Sequence, residues 1–240
     1  MISIFLEKHV KVILCFLIVS GSSYAQDAKN YFEKGRERFM KQDYQKAIGF
    51  YTKAIEIDPS NLQSYKGRAL AKLMLNDFPG AISDFDETLK LFPSSASYNE
   101  RGVIKKSIRD YAGASDDFTM AIKIDSTDFQ GYFNRGVLRL ERQDFEAAIV
   151  DFSKVIEINP KSIGVYNNRG IAKKNVQDYT GALIDYSKAI EMDPYDDLSY
   201  FNRGVVKIII KHSESGCIDL SKALELGNRD ASEQIQKHCN

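Results

Sequence analysis

Apolar residues recur along this chain with a helical spacing whose pattern returns every 34 residues, with one spacing of 33. The clearest copy runs from Phe129 to Ser162, and six copies follow one another. Position 1 of each copy falls at Ala28, Leu62, Ser95, Phe129, Ile163 and Asp197. A sustained period of this size predicts a solenoid, in which each unit buries its apolar face against its neighbours.

Four repeat positions carry the packing pattern. Position 4 is always tyrosine, positions 8 and 20 are always glycine or alanine, and position 24 is large and apolar. Small residues at positions 8 and 20 allow two antiparallel helices to approach closely, and the large residues fill the space around them. The pattern predicts an all-α chain of helix pairs, with Gly136 meeting Ala148 where the helices of the fourth repeat cross.

Polar residues and proline mark the ends of the predicted helices. Aspartate at position 16 precedes each second apolar run and is expected to cap the second helix: Asp43, Asp77, Asp110, Asp144 and Asp178. Proline at position 32 is expected to end the second helix in four repeats: Pro59, Pro93, Pro160 and Pro194.

The order Tyr–x₃–Gly–x₁₁–Ala–x₃–aromatic–x₂–Ala–x₄–Pro resembles the tetratricopeptide repeat. The resemblance runs from Ala28 to about Asp230. It implies a right-handed superhelical solenoid of antiparallel helix pairs, with a concave ligand-binding face lined by first helices. It implies no catalysis.

The repeats are expected to form a single solenoid domain over residues 26–240. Their predicted bounds are 28–61, 62–94, 95–128, 129–162, 163–196 and 197–230, followed by a short capping helix at 231–239. Lys plus Arg and Asp plus Glu both number 33, so the formal net charge is zero. A nucleic-acid-binding protein normally shows a basic excess, so the composition argues against that class.

The first 25 residues differ from the rest. Lys8 and Lys11 precede the short apolar run Val12–Val19, which is followed by a small polar stretch ending in Ser23-Tyr24-Ala25. This is the layout of a secretory signal peptide cleaved after Ala25. An uncleaved membrane anchor is the alternative, but the apolar run is short for a span. Lipidation of Cys15, inside the run, is a further alternative. The sequence therefore predicts an exported protein, periplasmic or secreted, with no membrane span in the mature chain.

No arrangement of residues indicates an active site. The three histidines lie far apart, and no HExxH, GxSxG, GxxxxGK[ST] or CxxC pattern occurs. Helix capping accounts for the position-16 aspartates, and core packing accounts for the tyrosines. We therefore expect no catalytic residues, no metal site and no cofactor.

Arginine at position 7 and aspartate at position 23 occur together in repeats two to six and are both missing from repeat one. This joint occurrence suggests contact. With each second helix antiparallel to the next first helix, it predicts structural ion pairs between repeats: Asp84–Arg101, Asp117–Arg135, Asp151–Arg169 and Asp185–Arg203.

The predicted concave face carries a row of asparagines and apolar residues. Asn134, Asn168 and Asn202 all occupy position 6, where stacked amides could pair with the backbone of an extended peptide or merely be solvated. The apolar members of the predicted groove, some of which could belong to the core, are Leu70, Phe133, Val137, Leu140, Ile171, Phe201 and Val205. The family's clamp for chaperone tails needs asparagine at position 9, which this chain lacks.

Removal of the signal peptide would leave two cysteines, Cys217 and Cys239. Cys217 lies at position 21 of repeat six, and Cys239 lies at position 9 of the capping helix, which should face it. Export favours a disulfide between them; two free thiols are the alternative.

These observations favour a non-catalytic scaffold that binds a peptide or protein segment of unknown identity in its groove. The alternative is a structural spacer or oligomerising part of an envelope assembly that does not use the groove.

Overall fold

A computed structural model describes residues 24–162 and 164–239. The described residues are almost entirely helical, as the 34-residue period predicts, and they group into two compact units that divide between Ile108 and Arg109. The single solenoid over residues 26–240 stays a prediction. The predicted signal peptide lies outside the described residues, apart from Tyr24 and Ala25. No described helix is both long enough and apolar enough to span a bilayer.

Unit 1, described over residues 24–108, contains the first two helix pairs and the first helix of the third repeat. Its helices are α1 (24–40), α2 (Tyr44–Ile57), α3 (Leu62–Met74), α4 (Phe78–Leu91) and α5 (Ser95–Ser107). Within unit 1, α2 packs on α3, α3 on α4 and α4 on α5, as expected for stacked helix pairs.

Unit 2, described over residues 109–239 apart from residue 163, continues the same alternation. Its helices are α6 (Tyr111–Ile124), α7 (Phe129–Glu141), α8 (Phe145–Ile158), α9 (Val165–Asn175), α10 (Tyr179–Met192), α11 (Asp197–Ile209), α12 (Ser213–Glu225) and α13 (Asp230–His238). Helix α13 occupies the segment for which a capping helix was predicted.

The two layers of unit 2 differ in their contacts. First helices touch one another in sequence, α7 with α9, α9 with α11 and α11 with α13. Within the described part of this unit, the second helices α6, α8, α10 and α12 touch first helices but not one another. The first helices therefore form the inner, concave layer of unit 2, and the second helices form its outer layer.

Each first helix ends in a left-handed residue that is not glycine. Position 15 has a positive φ in all six repeats: Gln42, Asn76, Arg109, Gln143, Gln177 and Lys211. In the fourth repeat, for example, the Gln143 N–H bonds to the Leu140 carbonyl and the Asp144 N–H bonds to the Arg139 carbonyl. These bonds close the first helix and start the second one two residues later.

The predicted aspartate caps form in only part of the chain. Asp77, Asp110 and Asp178 each accept a hydrogen bond from the N–H three residues on, which in all three cases belongs to glycine. Asp43 and Asp144 make no side-chain cap bond. The residue three positions on is Lys46 or Ala147 in those repeats, so the cap forms where a missing Cβ leaves room for the carboxylate.

The core is built from position 24 of each second helix. A Cβ added to Gly136 would lie 2.8 Å from the Phe152 ring, and one added to Gly170 would lie 2.6 Å from the Tyr186 ring. The ring at position 24, rather than the alanine at position 20, therefore fills the space above position 8. Positions 8 and 20 approach each other directly in repeat six, where a Cβ added to Gly204 would lie 3.0 Å from the Gly216 carbonyl oxygen. The meeting of Gly136 with Ala148 stays a prediction.

The predicted pairing of the ion-pair ladder between repeats is wrong. Arginine at position 7 binds the aspartate of its own repeat in the four pairs that the structure describes: Arg68–Asp84, Arg135–Asp151, Arg169–Asp185 and Arg203–Asp219, at 2.7–2.8 Å. A second cation, at position 11, binds the other carboxylate oxygen at 2.7–2.8 Å: Lys72, Arg139, Lys173 or Lys207. Asp117 of repeat three is also buried.

Helix geometry explains why the aspartate at position 23 pairs within its own repeat. Position 23 lies three residues after position 20 and shares the face that packs on the same repeat's first helix. Position 25 is turned by about 200° from position 23 and faces the following repeat. The arginine bonds that do cross between repeats accordingly end at position 25: Arg68 to Thr52, Arg101 to Asp86, Arg135 to Thr119, Arg169 to Ser153 and Arg203 to Ser187.

Candidate functional site

The inner layer of unit 2 carries a stripe of apolar side chains, which we call the inner groove. It contains six of the predicted groove residues, all partly buried and packed against core clusters: Phe133, Val137, Leu140, Ile171, Phe201 and Val205. Each belongs to α7, α9 or α11. Because these side chains rest on the core and keep an accessible edge, they form a firm apolar floor.

The predicted row of three asparagines is not uniform. Asn202 is only 8% exposed, and its amide donates to the Asn167 side chain at 3.4 Å. Asn167 in turn donates to the Ser199 hydroxyl at 2.6 Å. The side chains of Asn134 and Asn168 make no hydrogen bond with the described residues. Two amides of the row are therefore available to a ligand, and the third links two repeats.

A pocket of about 610 Å³ opens beside Asn168. Helix α9 begins at Val165, two residues later in its repeat than α7 or α11, and Gly164 before it is left-handed at φ 81°. The shortened first turn leaves space whose lining includes the apolar groups of Tyr166, Met192 and Leu198 and, among its charged residues, Asp193 and Asp196. An apolar side chain could enter this pocket while the Asn168 amide binds the adjacent backbone.

Unit 1 has its own, smaller pocket on first-helix side chains. Its volume is about 260 Å³, and its lining includes Phe32, Phe39 and Leu70. Leu70, the predicted groove residue of this unit, is 47% exposed. Lys66 and Glu100, also in the lining, form an ion pair at 3.4 Å.

A lysine in the inner groove escaped the sequence analysis. Lys174 occupies position 12 of repeat five, and its side chain is partly buried. Burial lowers the pKa of its ammonium group, with no charged neighbour contributing. A comparison of the six repeats at position 12 could have identified it, because a lysine stands there among mostly apolar residues. The residues at position 12 are Phe39, Leu73, Lys106, Leu140, Lys174 and Ile208.

The outer layer of unit 2 carries a second feature that the sequence analysis missed. Position 22 is aliphatic in the last three repeats, where Val150, Ile184 and Ile218 are 67%, 64% and 65% exposed. The corresponding residues in the first three repeats are Gly49, Ser83 and Asp116. Three exposed aliphatic side chains one repeat apart form an outer stripe on α8, α10 and α12.

The predicted disulfide is present. Cys217 on α12 and Cys239 after α13 are bonded, with their Cα atoms 5.7 Å apart. It joins the last helix to the outer layer, and Ala231 of α13 is buried against Leu220 and Ala223.

Family comparison supports the resemblance found in the sequence. Residues 28–61, 129–162 and 163–196 each match a model described as a tetratricopeptide repeat. Curated relatives match over shorter stretches. DnaJ homolog subfamily C member 7 of Mus musculus is 35% identical over 66 residues, which are 28% of this chain and 13% of that protein. Stress-induced-phosphoprotein 1 of Caenorhabditis elegans is 35% identical over 86 residues, 36% of this chain and 26% of that protein.

Solved structures share the fold at low identity. Pseudomonas aeruginosa pilF superposes with a TM-score of 0.72 at 15% identity, over 90% of this chain and 99% of that one. MamA superposes at 0.64 with 22% identity, over 70% and 93%. YrrB, described as a tetratricopeptide-repeat protein with an unusual peptide-binding site, superposes at 0.62 with 19% identity, over 77% and 94%.

Proposed function

Because the chain is a tetratricopeptide-repeat protein, we propose that it is a non-catalytic scaffold that binds a peptide or protein segment in the inner groove of unit 2. The observation that carries this proposal is the combination of an apolar floor with the unbonded amide of Asn168 beside a 610 Å³ pocket. Apolar concave surfaces with a few polar groups are typical of ligand sites. The printed description of YrrB names a peptide-binding site in a protein of the same fold.

The test is binding of the purified protein to an array of overlapping peptides from its host's proteins. We expect Asn168→Ala to weaken a captured peptide by roughly five- to tenfold, because one backbone hydrogen bond of about 1 kcal/mol is lost. Asn175→Ala is the matched control, since Asn175 lies on the same helix and bonds only to the Ile171 carbonyl. Unchanged affinity in Asn168→Ala, or no captured peptide, contradicts the proposal.

The outer stripe favours a second candidate function, in which unit 2 assembles with other chains through its outer layer. Exposed aliphatic side chains in a row are typical of contact surfaces. Sedimentation of the protein against a Val150→Ser, Ile184→Ser, Ile218→Ser variant tests it. A larger species that the triple variant abolishes supports assembly, whereas a monomer in both excludes self-assembly.

We also propose that the protein works outside the cytoplasm, either in the periplasm or secreted. Support comes from the layout of residues 1–25 and from the disulfide, because disulfides persist mainly in oxidising compartments.

A further inference from the structure

The middle of the inner groove holds a cation that the fold does not use. Lys174 lies one helical turn after Ile171 on α9. Leu140 and Ile208 hold the equivalent position on the neighbouring helices α7 and α11, where both pack against core clusters. The Lys174 ammonium forms no hydrogen bond or ion pair with another residue in the described part of the chain.

The adjacent lysine shows what a structural role looks like here. Lys173 is turned by about 100° from Lys174 around α9. It binds Asp185 at 2.8 Å, completing the network of its repeat. Lys174 has no such partner, and desolvation lowers its pKa. An ammonium group held partly away from water without a counter-charge opposes folding. Since leucine and isoleucine serve at this position in the adjacent repeats, the fold itself does not require a cation.

We propose that Lys174 binds the carboxylate of an Asp or Glu side chain in the partner segment. The inference rests on the proposed function of the inner groove and adds the chemistry of the ligand. Charge complementarity supports it, because a desolvated ammonium gains most from a carboxylate that arrives in the same partly dry environment. Apolar side chains of the partner would lie to either side, on Val137 and Leu140 and on Val205 and Ile208.

Helix spacing fixes the expected sequence of the partner. Packed helices lie about 8–10 Å apart, and an extended chain advances about 3.3 Å per residue. A segment that crosses from α7 over α9 to α11 therefore moves by about three residues per helix. The expected pattern is an apolar residue, two of any kind, Asp or Glu, two of any kind and a second apolar residue. The pattern is symmetrical, so it holds for both chain directions.

The experiment is a parallel selection from random dodecapeptides displayed on phage, using immobilised wild type, Lys174→Gln and Lys188→Gln. Lys188 is the control because it loses the same charge from the outer layer, where it pairs with Glu191. We expect the apolar and acidic pattern among peptides selected by wild type and by Lys188→Gln, but not by Lys174→Gln. The best peptide should bind wild type at least tenfold more tightly than its Glu→Gln copy, and this ratio should fall to about one for Lys174→Gln.

The outcomes separate the two proposals. Peptides selected without an acidic preference, or equally well by Lys174→Gln, overturn the role of Lys174 and leave groove binding intact. No selection above background by any of the three proteins overturns groove binding itself. Lys174→Leu adds a readout independent of ligand: it should raise the melting temperature at neutral pH, whereas a structural lysine would lower it. This gain should shrink as pH rises toward 10.5, where the burial-lowered pKa leaves the folded-state amine neutral.

Discussion

The hydroxyl of Tyr186 shows how one atom departs from an otherwise regular core. Its ring lies over Gly170 at position 24, where Phe85, Phe118 and Phe152 fill the same place in other repeats. The hydroxyl is buried and has no hydrogen-bond partner in the described structure. Burial raises its pKa above the ordinary value of 10.

Tyr186→Phe should therefore stabilise the protein by about 1 kcal/mol, since an unsatisfied buried hydroxyl costs roughly 1–3 kcal/mol. The difference should widen above pH 10. There the unfolded tyrosine ionises while the folded one stays protonated, so wild type loses stability as pH rises and the phenylalanine variant lacks that loss. Urea denaturation at pH 7 and pH 10.5 measures both effects. A variant that is less stable than wild type contradicts this account of the hydroxyl.

The aspartates at position 16 occur in two environments, one with a side-chain cap bond and one without. Asp178→Ala should destabilise the protein by about 1 kcal/mol because it removes the bond to the Gly181 N–H. Asp144→Ala should cost only a few tenths of a kcal/mol, because Asp144 has no cap bond and keeps only its favourable placement at a helix N-terminus. Thermal unfolding of both variants decides the matter, and equal losses would show that the side-chain bond is unimportant.

At the scale of elements, α13 depends on its covalent link. It has nine residues, too few for a helix that is stable alone, and only Ala231 is buried among them. The disulfide spans 22 residues and ties the end of this helix to α12.

Cys217→Ser with Cys239→Ser should destabilise this end by about 3 kcal/mol in the chain-entropy model. Hydrogen exchange should show faster exchange of α13 amides and little change in α7. Equal protection of α13 in the presence and absence of the bond would mean that apolar contacts alone hold the helix.

The existence, order and approximate bounds of the helices were predictable from the 34-residue period. Each repeat carries the same pattern of apolar and small residues and therefore packs its two helices in the same way. The finer register did not. Positions 21 and 25 face the next repeat and position 23 faces its own, which is why the disulfide was predicted and the Asp84–Arg101 pairing was wrong. Periodicity sets which face is apolar but does not say which of two flanking helices a polar side chain meets.

The functional surface was predictable in part for a related reason. A sequence pattern does not reveal whether an amide is already bonded, so Asn168 and Asn202 looked alike although the second is tied to Asn167. The outer stripe is an aliphatic residue at position 22 in three of the six repeats, and lysine stands at position 12 in two of the six. Such differences between repeats can be interpreted only when the exposure of the side chain and its hydrogen-bond or ion-pair partners are known.

At the scale of the whole molecule, the proposed export predicts where the mature chain begins and whether it carries free thiols. Protein secreted by its host should begin at Gln26 and contain no alkylatable thiol, because the Cys217–Cys239 bond consumes both remaining cysteines. Intact-mass analysis before and after iodoacetamide treatment measures both. The same chain kept in a reducing cytosol should carry alkylatable thiols. A secreted form that retains residues 1–25 would contradict cleavage.

The ion-pair network inside repeats two, four, five and six also bears on how the chain folds during synthesis. In the four repeats whose pairs the structure describes, the buried aspartate is bound by cations 16 and 12 residues earlier in the sequence, such as Arg135 and Arg139 for Asp151. A polypeptide that emerges N-terminus first therefore presents both cations before the carboxylate appears. Each of these four repeats can neutralise its own acid as it is synthesised, without waiting for the next repeat, so growth of the chain never leaves that charge without its partners.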